Sequence, residues 1–215
     1  DQIRNNTAIV ASAEQKLQAE GEAKFLRAYA YFNLVRFFGR VPVVDSVFAN
    51  ISQSNVPQSN AVAVYAFIES DLQFAAANLP LTWDQTKFPG RVTSGSANGL
   101  LAKVYLTQEK WSAAMGAANA VITSGQYSLH NSFDVLFREE GENSREAVFE
   151  VQATASAAVT TANGVQYAQI QGVRGAGAWD LGWGWNTPSV QLEAAFETGD
   201  PRKNRTILYT STSTT

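Results

Sequence analysis

The sequence predicts a mainly α-helical protein, built from tetratricopeptide-like helix pairs with long irregular loops and minor β structure. Residues 12–39 form a proline-free run that ends at Gly39, and glycine commonly follows the last residue of a helix. Residues 61–79 carry apolar side chains at helical spacing. Residues 96–123 contain two helical stretches joined by the short connection TQEK, with the small and large residues of a tetratricopeptide unit.

The first helix, over 12–39, is apolar nearly all round in its second half, from Phe25 to Phe38. A helix with this pattern is buried between neighbouring elements. Arg27 and Arg36 are polar exceptions, and we expect both to form structural ion pairs rather than to bind ligand. Pro42 prevents the helix from continuing.

Three further helices are predicted in order. The second, over 61–79, ends before Pro80. The third, over 96–108, has Ser94 or Ser96 as its N-cap. The fourth, over 110–123, has one apolar face, and we expect that face to lie in the core: Trp111, Ala114, Met115, Ala118, Ile122.

The pattern changes after Gly125. AVFEVQ, residues 147–152, alternates as a strand does. Residues 152–186 carry few charges and predict a long loop, a kind of segment that is often functional. One more helix is expected over 188–197, with Thr187 as its N-cap and Pro188 in its first turn.

GAGAWDLGWGWN, residues 175–186, places three of the chain's five tryptophans close together. If residues 179–185 are extended, Trp179, Trp183 and Trp185 point to one face, with same-side positions roughly 6–7 Å apart. Gly182 and Gly184 weaken a regular strand and allow close approach or bends. An indole surface of this kind suits the flat C–H face of a sugar ring.

Composition narrows the function further. The 215-residue chain has no cysteine and one histidine. The absence of cysteine excludes disulfides and zinc–thiolate sites. The net charge of −3 argues against a nucleic-acid binder. The sequence contains no apolar run of about 18 residues, the length that would predict a membrane-spanning helix. No catalytic triad, metal site or cofactor is expected. The helical character of residues 1–26 and the open-ended tail suggest a fragment, with one domain over 1–215 comprising a helical part at about 12–125 and a loop-rich part at about 126–215.

Six collinear blocks over residues 20–208 resemble the SusD/RagB family. The most recognisable is GEAKFLRAYAYFNLVRFFGRVPVV. The others are VYAFIESDLQFAAANLP, GRVTSGSANGLLAKVYL, WSAAMGAANAVITSGQYSL, NSREAVFEVQ and WNTPSVQLEAAFETGDPRKNRTIL. The family's lipidated N-terminal cysteine and its usual C-terminal region have no counterpart in this sequence.

The resemblance implies a helical SusD-like fold and a lipid-anchored protein of the bacterial outer membrane, exposed at the cell surface. It implies non-catalytic capture of glycans or similar nutrients, delivered to a SusC-like TonB-dependent transporter. The lipid anchor would lie outside this chain, and no nucleic-acid partner is expected.

The candidate ligand-binding residues cluster around the tryptophans: Arg174, Trp179, Asp180, Trp183, Trp185, Asn186. One or more of the rings could instead pin the loop to the helical body, and Trp83 could serve either role. Two other functions stay open, namely a glycoside hydrolase that uses Asp180 or Glu193, and a tetratricopeptide-like scaffold for a protein partner.

Overall fold

A computed structural model of the chain describes residues 6–153, 167–175 and 177–209. They fall into two compact units. The first comprises Asp1–Leu129 and Arg145–Glu150, and the second comprises His130–Ser144 and Val151–Thr215. The predicted mainly α-helical class is confirmed, whereas a single domain over 1–215 stays a prediction.

The first unit is built on four helices: α1 (Ala13–Phe38), α2 (Ala61–Asn78), α3 (Ser94–Thr107) and α4 (Trp111–Thr123). Each packs against the next along the chain, as in stacked helix hairpins. The predicted bounds agree with the observed ones to within two residues, because each helix has a clear periodic pattern and a clear stop signal.

The N-termini of α1, α2 and α3 are capped by side chains. In α1, the Ser12 hydroxyl accepts from the Gln15 N–H at 3.1 Å, and the Gln15 side chain accepts from the Ser12 N–H at 2.9 Å. The predicted cap of α3 is wrong. Thr93 is the N-cap, since its hydroxyl accepts from the Ser96 N–H at 3.1 Å, and Ser96 completes the box from inside the helix.

The core of the first unit lies where α1, α2 and α3 meet. It is filled by fully buried apolar side chains, among them Phe25, Val64, Ile68, Leu72 and Val104. The apolar spacing that predicts α2 is Tyr65, Ile68, Leu72, Ala75 and Leu79. All of these residues are buried except Tyr65, which is partly buried, and this confirms the periodicity of the helix.

The inward face predicted for α4 is correct at Ala114 but wrong at its large residues. Trp111 is 62% exposed, and Met115 and Ile122 are exposed as well. The buried residues of α4 are Ala114, Ala117 and Val121. Small side chains let α4 approach α3 closely, and the large ones point away.

The predicted strand over 147–152 is also wrong. It forms no strand in the described part of the chain, and its Val148 carbonyl accepts from the Ser96 hydroxyl at 2.7 Å. The Phe149 ring packs edge-on against Phe25, with ring centroids 4.9 Å apart. The β structure that is described is a short antiparallel pair, β1 (Val41–Pro42) with β2 (Gln58–Ser59).

The two arginines of α1 behave differently. Arg27 is a structural ion pair, as predicted, with Nε 2.7 Å and Nη2 2.8 Å from the carboxylate oxygens of Asp71. Arg36 forms no ion pair with a described residue. It donates to the Phe32 carbonyl at 3.2 Å and to the Asn33 side chain at 2.6 Å.

The second unit is made of short helices and loops. Its elements are α5 (Phe133–Leu136), a 3-10 turn (Glu139–Gly141), α6 (Tyr167–Gln171), a 3-10 turn (Gly177–Trp179), α7 (Val190–Ala194) and α8 (Lys203–Thr206). The helix predicted over 188–197 is therefore shorter. Ser189 is its N-cap rather than Thr187, since the Ser189 hydroxyl accepts from the Leu192 N–H at 3.2 Å.

Candidate functional site

The tryptophan segment is held in place through its main chain. The N–H groups of residues 181–185 all donate to carbonyls of residues 169–173, within and just after α6. Trp183 donates to the Gln169 carbonyl at 2.9 Å, and Trp185 donates to the Ile170 carbonyl at 3.0 Å. Because consecutive backbone donors are satisfied in this way, the segment has a defined path although it is not a strand.

The two glycines in the segment have a steric reason. A Cβ on residue 182 would lie 2.1 Å from the Gln169 carbonyl oxygen, so only glycine allows this approach. Gly184 has φ +69°, a left-handed conformation that favours glycine. The predicted use of Gly182 and Gly184 for close approach and bends is confirmed.

The extended conformation considered for residues 179–185 is wrong. Trp179 ends a 3-10 turn, and Gly184 and Asn186 have positive φ values. These bends arise because the main chain follows the carbonyls of residues 169–173 rather than a neighbouring strand. The alternation that would place all three rings on one face therefore does not apply.

All three indoles nevertheless remain accessible. Trp179 is 38% exposed, Trp183 is 54% exposed and Trp185 is 65% exposed. A ring that only fills a core is largely buried, so these rings keep apolar surface available within the second unit.

A cavity of about 620 Å³ lies beside this segment. Among the candidate residues, Arg174 and Asn186 line it, whereas Asp180 and the three tryptophans do not. The predicted residues thus divide between two surfaces of the same segment. The volume of the cavity is in the range of small-ligand sites.

The cavity also contains an acid–phenol pair that was not among the candidate binding residues. The Tyr209 hydroxyl donates to Glu193 Oε1 at 2.9 Å, and Lys203 Nζ lies 3.2 Å from the same oxygen. The Tyr209 hydrogen bond, and then the Lys203 one, hold the pKa of Glu193 below its ordinary value. Glu193 is therefore an acceptor at neutral pH. No signal near residue 209 in the sequence could have paired it with Glu193.

Trp83 and the single histidine, His130, have structural partners. Trp83 Nε1 donates to the Val92 carbonyl at 2.7 Å, and the Arg91 guanidinium lies 3.8 Å from the Trp83 ring centroid. Arg91 is in turn paired with Glu22 of α1. Trp83 therefore fixes its loop to the helical body. His130 Nδ1 is hydrogen-bonded within its own loop, to Ser132.

Within the described ranges, no group of three or more histidine and carboxylate side chains is arranged to hold a metal ion. Each helix described falls short, in length or in hydropathy, of a membrane-crossing segment.

Comparison with known proteins relates the chain to one family. The SusD-like family model, starch-binding associating with outer membrane, matches residues 2–106. SusD-like protein P2 of Formosa agariphila is 28% identical over 99% of this chain and 43% of its own length. The chain is thus similar to SusD-like proteins along nearly its whole length.

Solved SusD-like structures agree with this similarity. A laminarin-binding SusD-like protein is 30% identical, with a TM-score of 0.78 over 94% of this chain and 48% of that one. A structure solved with a xylogluco-oligosaccharide is 30% identical, with a TM-score of 0.58 over 67% of this chain and 31% of that one. The chain spans less than half the length of each of these relatives.

Proposed function

We propose that this SusD-like chain captures glycans without catalysis, by stacking sugar rings on exposed tryptophans. The observation that carries the proposal is the accessibility of Trp179, Trp183 and Trp185 on a segment whose main chain is fixed by hydrogen bonds. A fixed platform loses little conformational freedom when it binds a ligand. The carbohydrate binding of the family supports the proposal.

Indole rings suit this task because they combine a large apolar face with a polar N–H edge. If each stacked ring contributes about 1 kcal/mol beyond the burial of area, two or three rings fit an affinity between roughly millimolar and micromolar. Asp180 would take sugar hydroxyls beside the rings, and Asn186 would do so from the adjoining cavity. Such an affinity permits release after capture.

The proposal extends to the cell. By its family, the protein would be anchored by lipid to the outer surface of the bacterial outer membrane and would deliver the glycan to a SusC-like TonB-dependent transporter.

A glycoside hydrolase is the main alternative. It needs a general acid whose pKa is raised, so that the group is protonated at the working pH. The pKa of Glu193 is lowered instead, which argues against that role. Incubation with a glycan panel should release no reducing sugar, and release that is abolished by Glu193→Gln or Asp180→Asn would establish the hydrolase.

The binding test compares two exposed tryptophans. Trp183→Ala should weaken binding by roughly 5- to 30-fold, as about 1–2 kcal/mol of stacking is lost. Trp111→Ala is the matched control, since Trp111 is similarly exposed but lies on α4 of the helical unit. Affinity gels and titration calorimetry report both. If the variant lacking Trp179, Trp183 and Trp185 binds every glycan as well as the wild type, the stacking proposal fails.

A scaffold for a protein partner would predict the opposite pattern. The exposed apolar side chains of α4 would then matter, and Trp111→Ala would reduce binding to that partner while glycan binding was absent.

A further inference from the structure

We infer that the cavity lined by Arg174 and Glu193 accepts the anionic group of an acidic sugar, a carboxylate or a sulfate ester. This inference rests on the proposed glycan-binding function and specifies the class of glycan. It concerns the charges of the cavity and not the tryptophan surface, because none of the three indoles lines it.

Glu193 is the one carboxylate among the described residues that line the cavity. That carboxylate is already compensated, by the Tyr209 hydroxyl at 2.9 Å and by Lys203 Nζ at 3.2 Å. A cationic group of a ligand near Glu193 would therefore meet the charge of Lys203 and would not find an unpaired carboxylate.

The charge of Arg174 is not paired with any described residue. Its side chain is exposed, and with the described residues it makes no hydrogen bond or ion pair, in contrast to Arg27, Arg91 and Arg202, which each hold a carboxylate. The cavity is also lined by polar residues that are neutral: Gln171, Asn186, Thr187, Ser189, Thr206. The cavity thus has an uncompensated positive charge.

Backbone contacts on both sides of Arg174 hold it in position. The Val173 carbonyl just before it accepts from the N–H groups of both Leu181 and Gly182 at 2.9 Å. Gly184 packs against its side chain, since a Cβ on residue 184 would lie 2.9 Å from the Arg174 Cβ. The backbone of Arg174 is therefore fixed on two sides, and its guanidinium can reach the cavity from a defined base.

These features together select the ligand class. A guanidinium presents a planar fork of donors that matches the two oxygens of a carboxylate or sulfate. Neutral sugars have no such group, whereas uronic acids and sulfated sugars do. The neighbouring neutral amide and hydroxyl groups can bind the ring hydroxyls, and about 620 Å³ is ample for one or two sugar rings.

The test uses pairs of ligands that share a sugar backbone and differ in whether the anionic group is present. Trigalacturonate is compared with its methyl ester, and a sulfated galactan trisaccharide with its desulfated form, by titration calorimetry. The acidic member of at least one pair should bind about tenfold or more tightly, as expected for charge-assisted hydrogen bonds. The pair that shows the preference identifies carboxylate or sulfate as the recognised group.

The variants assign the preference to Arg174. Arg174→Gln should abolish the preference by weakening binding of the acidic member, and Arg174→Lys should retain part of it. Arg40→Gln, which removes an exposed charge from the helical unit, should leave the preference intact. A thermal unfolding midpoint equal to that of the wild type shows that each variant is folded.

Equal binding of the charged and neutral members, with no effect of Arg174→Gln, would overturn the inference and leave glycan capture standing. A preference that persists in Arg174→Gln would overturn it as well. If no member of either pair, nor laminarin, binds the wild type, the proposed function itself fails.

Discussion

The close approach at Gly182 gives the sharpest test of how the tryptophan surface is held. In Gly182→Ala, the new Cβ would lie 2.1 Å from the Gln169 carbonyl oxygen and 2.7 Å from the Gly172 Cα, where ordinary contacts are 3.4–4 Å. Both obstacles are main-chain atoms, so no side-chain rotation relieves the clash. The segment must move away from α6.

The cost follows from that displacement. Overpacking that forces a backbone shift costs about 1–3 kcal/mol. The N–H groups of residues 181–185 then lose their carbonyl acceptors at 169–173. Local opening should become roughly 5- to 150-fold more frequent, since each 1.4 kcal/mol is about a factor of ten.

Hydrogen exchange followed by mass spectrometry measures this directly. The peptide that covers residues 181–185 should exchange faster in Gly182→Ala, while peptides from α1 and α2 keep their protection. Glycan affinity should fall together with the protection. Gly116→Ala is the control, because a Cβ there meets nothing within 4 Å and alanine favours the helix. Unchanged exchange of the 181–185 peptide in Gly182→Ala would refute the proposed anchoring.

Three further outcomes follow from the contacts described. Asp71→Asn should lower the free energy of unfolding by about 3 kcal/mol in urea denaturation, because Lys24 and Arg27 lose a 1% exposed carboxylate; an unchanged midpoint would contradict this. Thr93→Ala should cost about 1 kcal/mol by the same measurement, through loss of the α3 cap, and Thr93→Ser should restore most of it. The pKa of Glu193 is lowered, so the contribution of its contacts is present above the ordinary pKa and lost as pH falls through the lower folded value. The free energy of unfolding, measured in urea between pH 8 and pH 3, should therefore show no loss from this group until the pH falls below about 5, and the loss below that pH should be smaller in Glu193→Gln.

The helical unit was largely predictable from sequence because its signals are local. Gly39 and Pro80 mark helix ends, and the spacing of Ile68, Leu72 and Ala75 defines a buried face. The error at Trp111 has a physical origin. Large side chains were expected inside, but α4 packs through its alanines, and the distance between helices favours small residues over large ones.

The candidate site was less predictable because long-range backbone contacts shape it. Nothing local to residues 179–185 reveals that their N–H groups pair with carbonyls at 169–173. The glycines at 182 and 184 were the one usable signal, and they correctly indicated close approach and a bend. The Glu193–Tyr209 pair joins residues on either side of α8, and no sequence periodicity links such positions.

The main-chain anchoring of residues 181–185 separates two properties that are usually entangled in a binding loop. The atoms that hold the segment are common to every amino acid, whereas the atoms that would meet a ligand belong to the side chains at 179, 183 and 185. A library randomised at those three positions should therefore yield mostly folded proteins with different glycan preferences, while the same library at position 182 should yield few. Ligand preference in this scaffold can change by selection without the fold having to change with it.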